Sequence, residues 1–170
     1  MKNLLIGFGL VSICFLACNN DCKKPCEEKV IQDVSDHNKV DEPLFDSIKA
    51  YEYGADDYGM KMYVMAFLKR GPNRDRDSAE AYDLQRAHLD NINRLVEEGK
   101  MVLAGPFGGD GDLRGIYIFN VETVEEAKAL TETDPAIQAG SLEMELIPWY
   151  GSAAIVGIVE EHEKIAKINI

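Results

Sequence analysis

The sequence predicts an α+β domain, an antiparallel sheet with two helices on one face. Three observations lead there. Four short apolar segments have strand character, two amphipathic segments have helical spacing, and residues 60–151 run strand, helix, strand, strand, helix, strand. That βαββαβ order is the ferredoxin-like arrangement.

The first strand is Lys61–Lys69 (KMYVMAFLK), a continuous apolar run closed by lysine at each end. Such a run suits a strand buried on both faces. Arg70-Gly71-Pro72-Asn73 is a turn. Asp77-Ser78-Ala79-Glu80 has an acid at the cap and a glutamate three residues later, the pattern of a capping box. The helix it opens sets Ala81, Leu84, His88, Ile92 and Leu95 on one stripe and stops at Glu98-Gly99-Lys100, where glycine accepts the left-handed cap. A second strand starts at Met101–Ala104, and Gly105 to Asp112 forms a glycine-rich connection. The third strand is Leu113–Val121, apolar on both sides over Ile116–Phe119. Thr123-Val124-Glu125-Glu126 is another capping box, leading a short helix that stops near Asp134 because the residue before Pro135 avoids helical dihedrals. Leu142–Trp149 (LEMELIPW) alternates apolar residues with glutamate, so one face is buried and the other wet. The first and third strands are apolar on the face opposite the helices, which one small subunit is not expected to cover. A homodimer joined sheet to sheet, an α+β barrel between subunits, is therefore expected.

The domain carries attachments at both ends. Residues 1–17 have the form of a signal peptide, with Lys2 at the start, an apolar run from Leu4 to Phe15, and the ending Phe15-Leu16-Ala17-Cys18. That run is short for a bilayer span. The Leu-Ala-Cys ending resembles a bacterial lipoprotein signal, which implies lipid on Cys18 and an exported protein held to the cell envelope by that lipid alone. Residues 18–59 are polar and acidic and are expected to be a mostly disordered tether with a short helix around Leu44–Tyr51. Residues 152–170 form a C-terminal extension with near-helical apolar spacing that Gly157 weakens.

Charge and cysteine usage exclude several classes of function. Net charge is −12, and loss of the leader removes Lys2 and no acid, leaving −13. Such a surface repels phosphate backbones, so no nucleic-acid partner is expected. All four cysteines precede residue 27, so thiol catalysis in the domain is excluded. Cys22 and Cys26 lack the second ligand pair of a zinc site and suit either a local disulfide or free thiols. Gly108-Gly109-Asp110-Gly111 lacks the lysine and following helix of a phosphate loop, and a hairpin connection is the better reading. Arg70, Arg74 and Arg76 stand where they would meet an anionic substrate, but Asp75 and Asp77 interleave with them and favour a solvated surface.

His88 and Asp134 are the candidate catalytic residues. Of three histidines, His37 lies in the tether and His162 in the extension, so His88 is alone in residues 60–151. A histidine facing a core and a carboxylate at a helix end can form a base with its orienting partner. Each residue also has a plain structural reading, His88 as a satisfied core histidine and Asp134 as the cap of a new helical turn over Ala136–Ala139. A single histidine in the domain leaves no metal-ligand spacing, and neither metal nor cofactor is expected.

Four segments resemble the YCII-related (YciI-like) family of small dimeric ferredoxin-like proteins. They are YVMAFLKRG from Tyr63, QRAHL with NINRLVEEGKMVLAGPF from Gln85 to Phe107, RGIYIFNVETVEEAKAL from Arg114, and TDPAIQAG from Thr133. The resemblance spans residues 62–150 and implies an active-site dyad at the matching positions, His88 and Asp134. A few members of that family act on small ring compounds, including removal of chloride from a chlorinated hydroxyquinol. The implied function is proton transfer on a small organic molecule, of lyase or isomerase type and without a cofactor. The alternative is a non-catalytic small-molecule binding or structural/interaction domain of the same fold.

Overall fold

The computed structural model describes residues 44–168, so the leader, Cys18, Cys22, Cys26 and His37 lie outside the described residues. The elements are α1 (Ser47–Tyr53), β1 (Met60–Arg70), α2 (Ser78–Glu97), β2 (Met101–Pro106) and β3 (Leu113–Phe119), then α3 (Val124–Thr131), α4 (Pro135–Gln138), β4 (Leu142–Ser152), a 3-10 turn (Ala153–Gly157) and α5 (Ile158–Ile165). The strands pair antiparallel in the order β2-β3-β1-β4. This is the predicted α+β class, with the two continuously apolar strands, β1 and β3, at the centre.

Side-chain alternation divides the sheet into two faces. On one face Val64, Ala66 and Leu68 of β1 and Phe119 of β3 pack against Ile92 and Leu95 of α2 and Ala127 of α3. Leu142, Met144 and Leu146 of β4 join that core, while Glu143 and Glu145 between them are exposed. The N-cap side-chain bonds of the two capping boxes read from the sequence are in place. The Asp77 carboxylate accepts from Ala79 N and Glu80 N, each at 2.9 Å. Thr123 Oγ1 accepts from Glu126 N at 3.2 Å. Gly99 closes the end of α2 at φ +66°.

The opposite face departs from expectation, because the chain covers part of it with its own extension. Ile155, Val156 and Val159 pack on Tyr63, Val102 and Ile118. β4 runs on past Trp149 to Ser152, and there the backbone turns over the sheet. Ala153 N donates to Gly59 O at 2.9 Å, and the Tyr63 hydroxyl donates to Ser152 O at 3.0 Å. Gly157, which weakens the helical pattern, has a packing reason: a Cβ there would lie 2.6 Å from the Tyr53 hydroxyl of α1. α1 itself starts at Ser47, capped by Asp46, and stops at Gly54 with φ +69°.

Candidate functional site

The site forms where the helix-side core stops being filled. Cross-strand pairs on this face shrink along β2 and β3, from Met101 opposite Phe119, to Ala104 opposite Tyr117, to Pro106 opposite Gly115. Gly115 has no room for more, since a Cβ there would sit 2.5 Å from Gly105 O. Above this small-residue end lie the first turns of α2, where Ala81 is exposed and Leu84 only half-buried. The result is a cleft of about 370 Å³ with Leu84, Leu89 and Ile92 on its helical wall and His88 and Tyr117 at its inner end.

His88 and Asp134, far apart in sequence, meet here. His88 Nδ1 lies 2.8 Å from Asp134 Oδ2 and 3.0 Å from Oδ1. Asp134 is only 1% exposed and His88 7%, so the pair is largely shielded from solvent. Both readings of Asp134 hold at once, because its Oδ1 also accepts from Ala136 N at 2.8 Å as the cap of α4. A carboxylate has lone pairs enough for both tasks. Neighbouring side chains fix the approach of α2 to the turn before α4. Buried Asn91 accepts through Oδ1 from Arg94 Nη2 at 2.8 Å and from the Thr133 hydroxyl at 3.1 Å. Thr133 adjoins Asp134 and Asn91 lies one turn along α2 from His88, so this bridge holds the aspartate against the histidine.

Tyr117 completes the site, and sequence reasoning missed it. Its hydroxyl is 3.1 Å from His88 Nε2. Within the apolar run Ile116–Phe119 a tyrosine looks like core, and only the strand's register shows that it faces α2. Burial first, and then the charge of Asp134, push the Tyr117 phenol well above its ordinary range, so it stays protonated. In the tautomer in which Asp134 accepts the Nδ1 proton, Nε2 is left as an acceptor for the Tyr117 hydroxyl. The arrangement thus presents an imidazole nitrogen next to a protonated phenol, both at the end of a cleft.

Among the arginines read from the sequence, Arg74 and Arg76 line the cleft and Arg70 does not. Arg114, which sequence reasoning passed over, lines its other side. Among the described residues, no group of three His, Cys, Asp or Glu side chains is placed to hold a metal ion, and no helix is long and apolar enough to cross a membrane.

An uncharacterized protein of Bacillus subtilis (strain 168), YjpA, is 29% identical over 62 residues, which cover 36% of this chain and 71% of that protein. Among solved structures, the 5-chloro-2-hydroxyhydroquinone dehydrochlorinase TftG from Burkholderia phenoliruptrix AC1100, in complex with 2,5-dihydroxybenzoquinone, aligns with a TM-score of 0.37 and 23% identity. That alignment covers 52% of this chain and 91% of TftG. Residues 62–150, which hold most of the sheet and the His88–Asp134–Tyr117 cluster, match the YCII-related domain, and the chain belongs to that family.

Proposed function

We propose that this chain is an exported envelope protein, anchored by lipid on Cys18, whose cleft binds a small organic molecule and moves a proton on it. His88 is the base, Asp134 its positioning partner, and the chemistry is cofactor-free, of lyase or isomerase type. The observation that carries this reading is the double engagement of one buried imidazole, with Nδ1 on Asp134 and Nε2 on Tyr117 at the end of a cleft. A buried histidine kept only for packing would also need a partner on Nε2, and what favours catalysis is that this partner and the ring line a cleft open to a ligand. When a substrate replaces Tyr117 as the partner of Nε2, the base meets the acidic proton and the freed phenol donates to a substrate oxygen. Asp134 stabilises the imidazolium so formed. The proton then returns to another substrate atom in an isomerisation, or a leaving group departs with the bonding pair in an elimination.

The test is to screen hydroxylated ring compounds for leaving-group release and for deuterium uptake from solvent, with the full chain and His88→Gln. Turnover in the parent alone is the expected result. Unchanged turnover in His88→Gln overturns the reading, and binding without turnover in both proteins favours the non-catalytic alternative. The lipid anchor is tested by metabolic labelling with a fatty-acid analogue, expected in the parent and absent in Cys18→Ala. A homodimer through the outer sheet face is supported by what the extension leaves uncovered, namely half-buried Phe67 and Ile116 and exposed Ile147. Sedimentation of the full chain with and without Ile147→Glu tests it.

A further inference from the structure

We propose that the mouth of the His88 cleft is an anion subsite, built by Arg74, Arg76 and Arg114, that receives a carboxylate of the ligand. This rests on the reading of the cleft as a small-molecule site and adds the chemical class of that molecule.

The carrying observation is the charge of the lining. Arg74, Arg76 and Arg114 face the cleft, and among the described residues no aspartate or glutamate lines it. This occurs in a chain with 18 lysines and arginines against 30 acids. The three guanidinium groups are bonded to main-chain carbonyls, which are neutral. Arg74 Nη1 donates to Ser141 O at 3.1 Å, Arg76 to Ala139 O at 2.7 Å and to Asn73 O, and Arg114 Nη1 to Gly109 O at 3.0 Å and Gly111 O at 3.3 Å. None of the three forms an ion pair among the described residues. Each guanidinium has five N–H donors, so every one retains donors for a ligand.

The interleaved acids, which favour a solvated surface on sequence grounds, are turned to other uses or other directions. Asp77 caps α2 through its carboxylate. Asp75, Asp110 and Asp112 share the arginine loops but do not line the cleft. The loop bearing Arg74 and Arg76 is also strapped in place, with Gly71 N donating to Ser141 O at 3.0 Å and Asn73 N to Gly140 O at 2.9 Å. The two backbones are pressed together so closely that a Cβ on Gly71 would lie 2.3 Å from Gly140 O. Fixed arginine forks beside an apolar wall suit a planar carboxylate attached to a ring. A volume of about 370 Å³ is at the small end for ligand sites and suits one ring. The subsite therefore selects a single-ring carboxylic acid, its carboxylate at the mouth and its reacting atoms toward His88 and Tyr117.

Benzoate and its neutral isostere benzamide are the probes, titrated into the full chain and read by NMR at the arginine Nε–H and His88 ring signals. Benzoate is expected to bind at least about tenfold more tightly than benzamide, with the difference shrinking at high salt. Arg74→Gln and Arg114→Gln are each expected to reduce benzoate to the level of benzamide while leaving benzamide unchanged, which also shows that the cleft has kept its shape. Equal binding of the two probes, or no binding of benzoate, overturns the subsite. The proton-transfer reading is judged separately. Arginine-dependent benzoate binding together with turnover that survives His88→Gln would leave the subsite standing and remove the base.

Discussion

The two ends of α2 sit over the same face of the same sheet, and they have opposite fates. Toward its C-terminus Leu95 is 1% exposed and closes onto Met101, Phe119 and Ala127, all of them fully buried. Toward its N-terminus Ala81 and Leu84 lie over Gly115, Ala104 and Pro106, and the space between stays open. His88 stands at the boundary. There the Tyr117 ring meets Phe119 edge to face at 5.8 Å on one side and offers its hydroxyl to His88 on the other. An amphipathic stripe alone does not decide between core and cleft. The residue sizes on the facing strands decide it, and the polar cluster sits where they fall.

This contrast can be broken from either end. The largest effect is expected at the closed end, where Leu95→Ala should cost about 2–5 kcal/mol in urea unfolding and leave benzoate binding intact. Next comes Asp134→Asn, which breaks the buried pair and should cost about 1–3 kcal/mol while abolishing turnover. Leu84→Ala, at the open end, should cost less than about 1 kcal/mol, because its side chain is already half exposed, yet should weaken ligand binding. Equal losses for Leu84→Ala and Leu95→Ala would mean that the cleft closes in solution.

Tyr117→Phe sharpens the contrast through pH. The Tyr117 phenol is raised in the folded state, so its contribution is full below the unfolded value of about 10 and is lost as pH rises beyond it. Above that point the unfolded chain releases a proton that the native chain retains. The parent should therefore lose stability there by up to about 1.4 kcal/mol per pH unit more than Tyr117→Phe does. Tyr63, pushed up to about 12 by burial, contributes equally in both proteins and cancels from the comparison.

His88 and Asp134 were legible in the sequence because local rules mark them. One occupies an apolar stripe, and the other precedes a proline at a helix boundary. The fold class was legible for the same reason, since each cap and each strand period is a short-range signal. Tyr117 and Arg114 were not, because their roles depend on pairing across β1, β3 and β2, and an apolar strand hides which residue meets a helix. The covering of the outer face by residues 153–159 was hidden too. Gly157 reads locally as a helix breaker, and its reason, the approach of Tyr53, lies far away in the chain.

The central claim is that Asp134 holds His88 in one tautomer, with the proton on Nδ1 and Nε2 turned to Tyr117 and the cleft. Nitrogen-15 NMR of the His88 ring in the full chain, recorded as pH is raised until the ring signals stop shifting, reads this directly. The account predicts a protonated Nδ1 and an unprotonated Nε2 in the parent, and loss of that preference in Asp134→Asn. A proton on Nε2 in the parent, or the same tautomer mixture in both proteins, would contradict it.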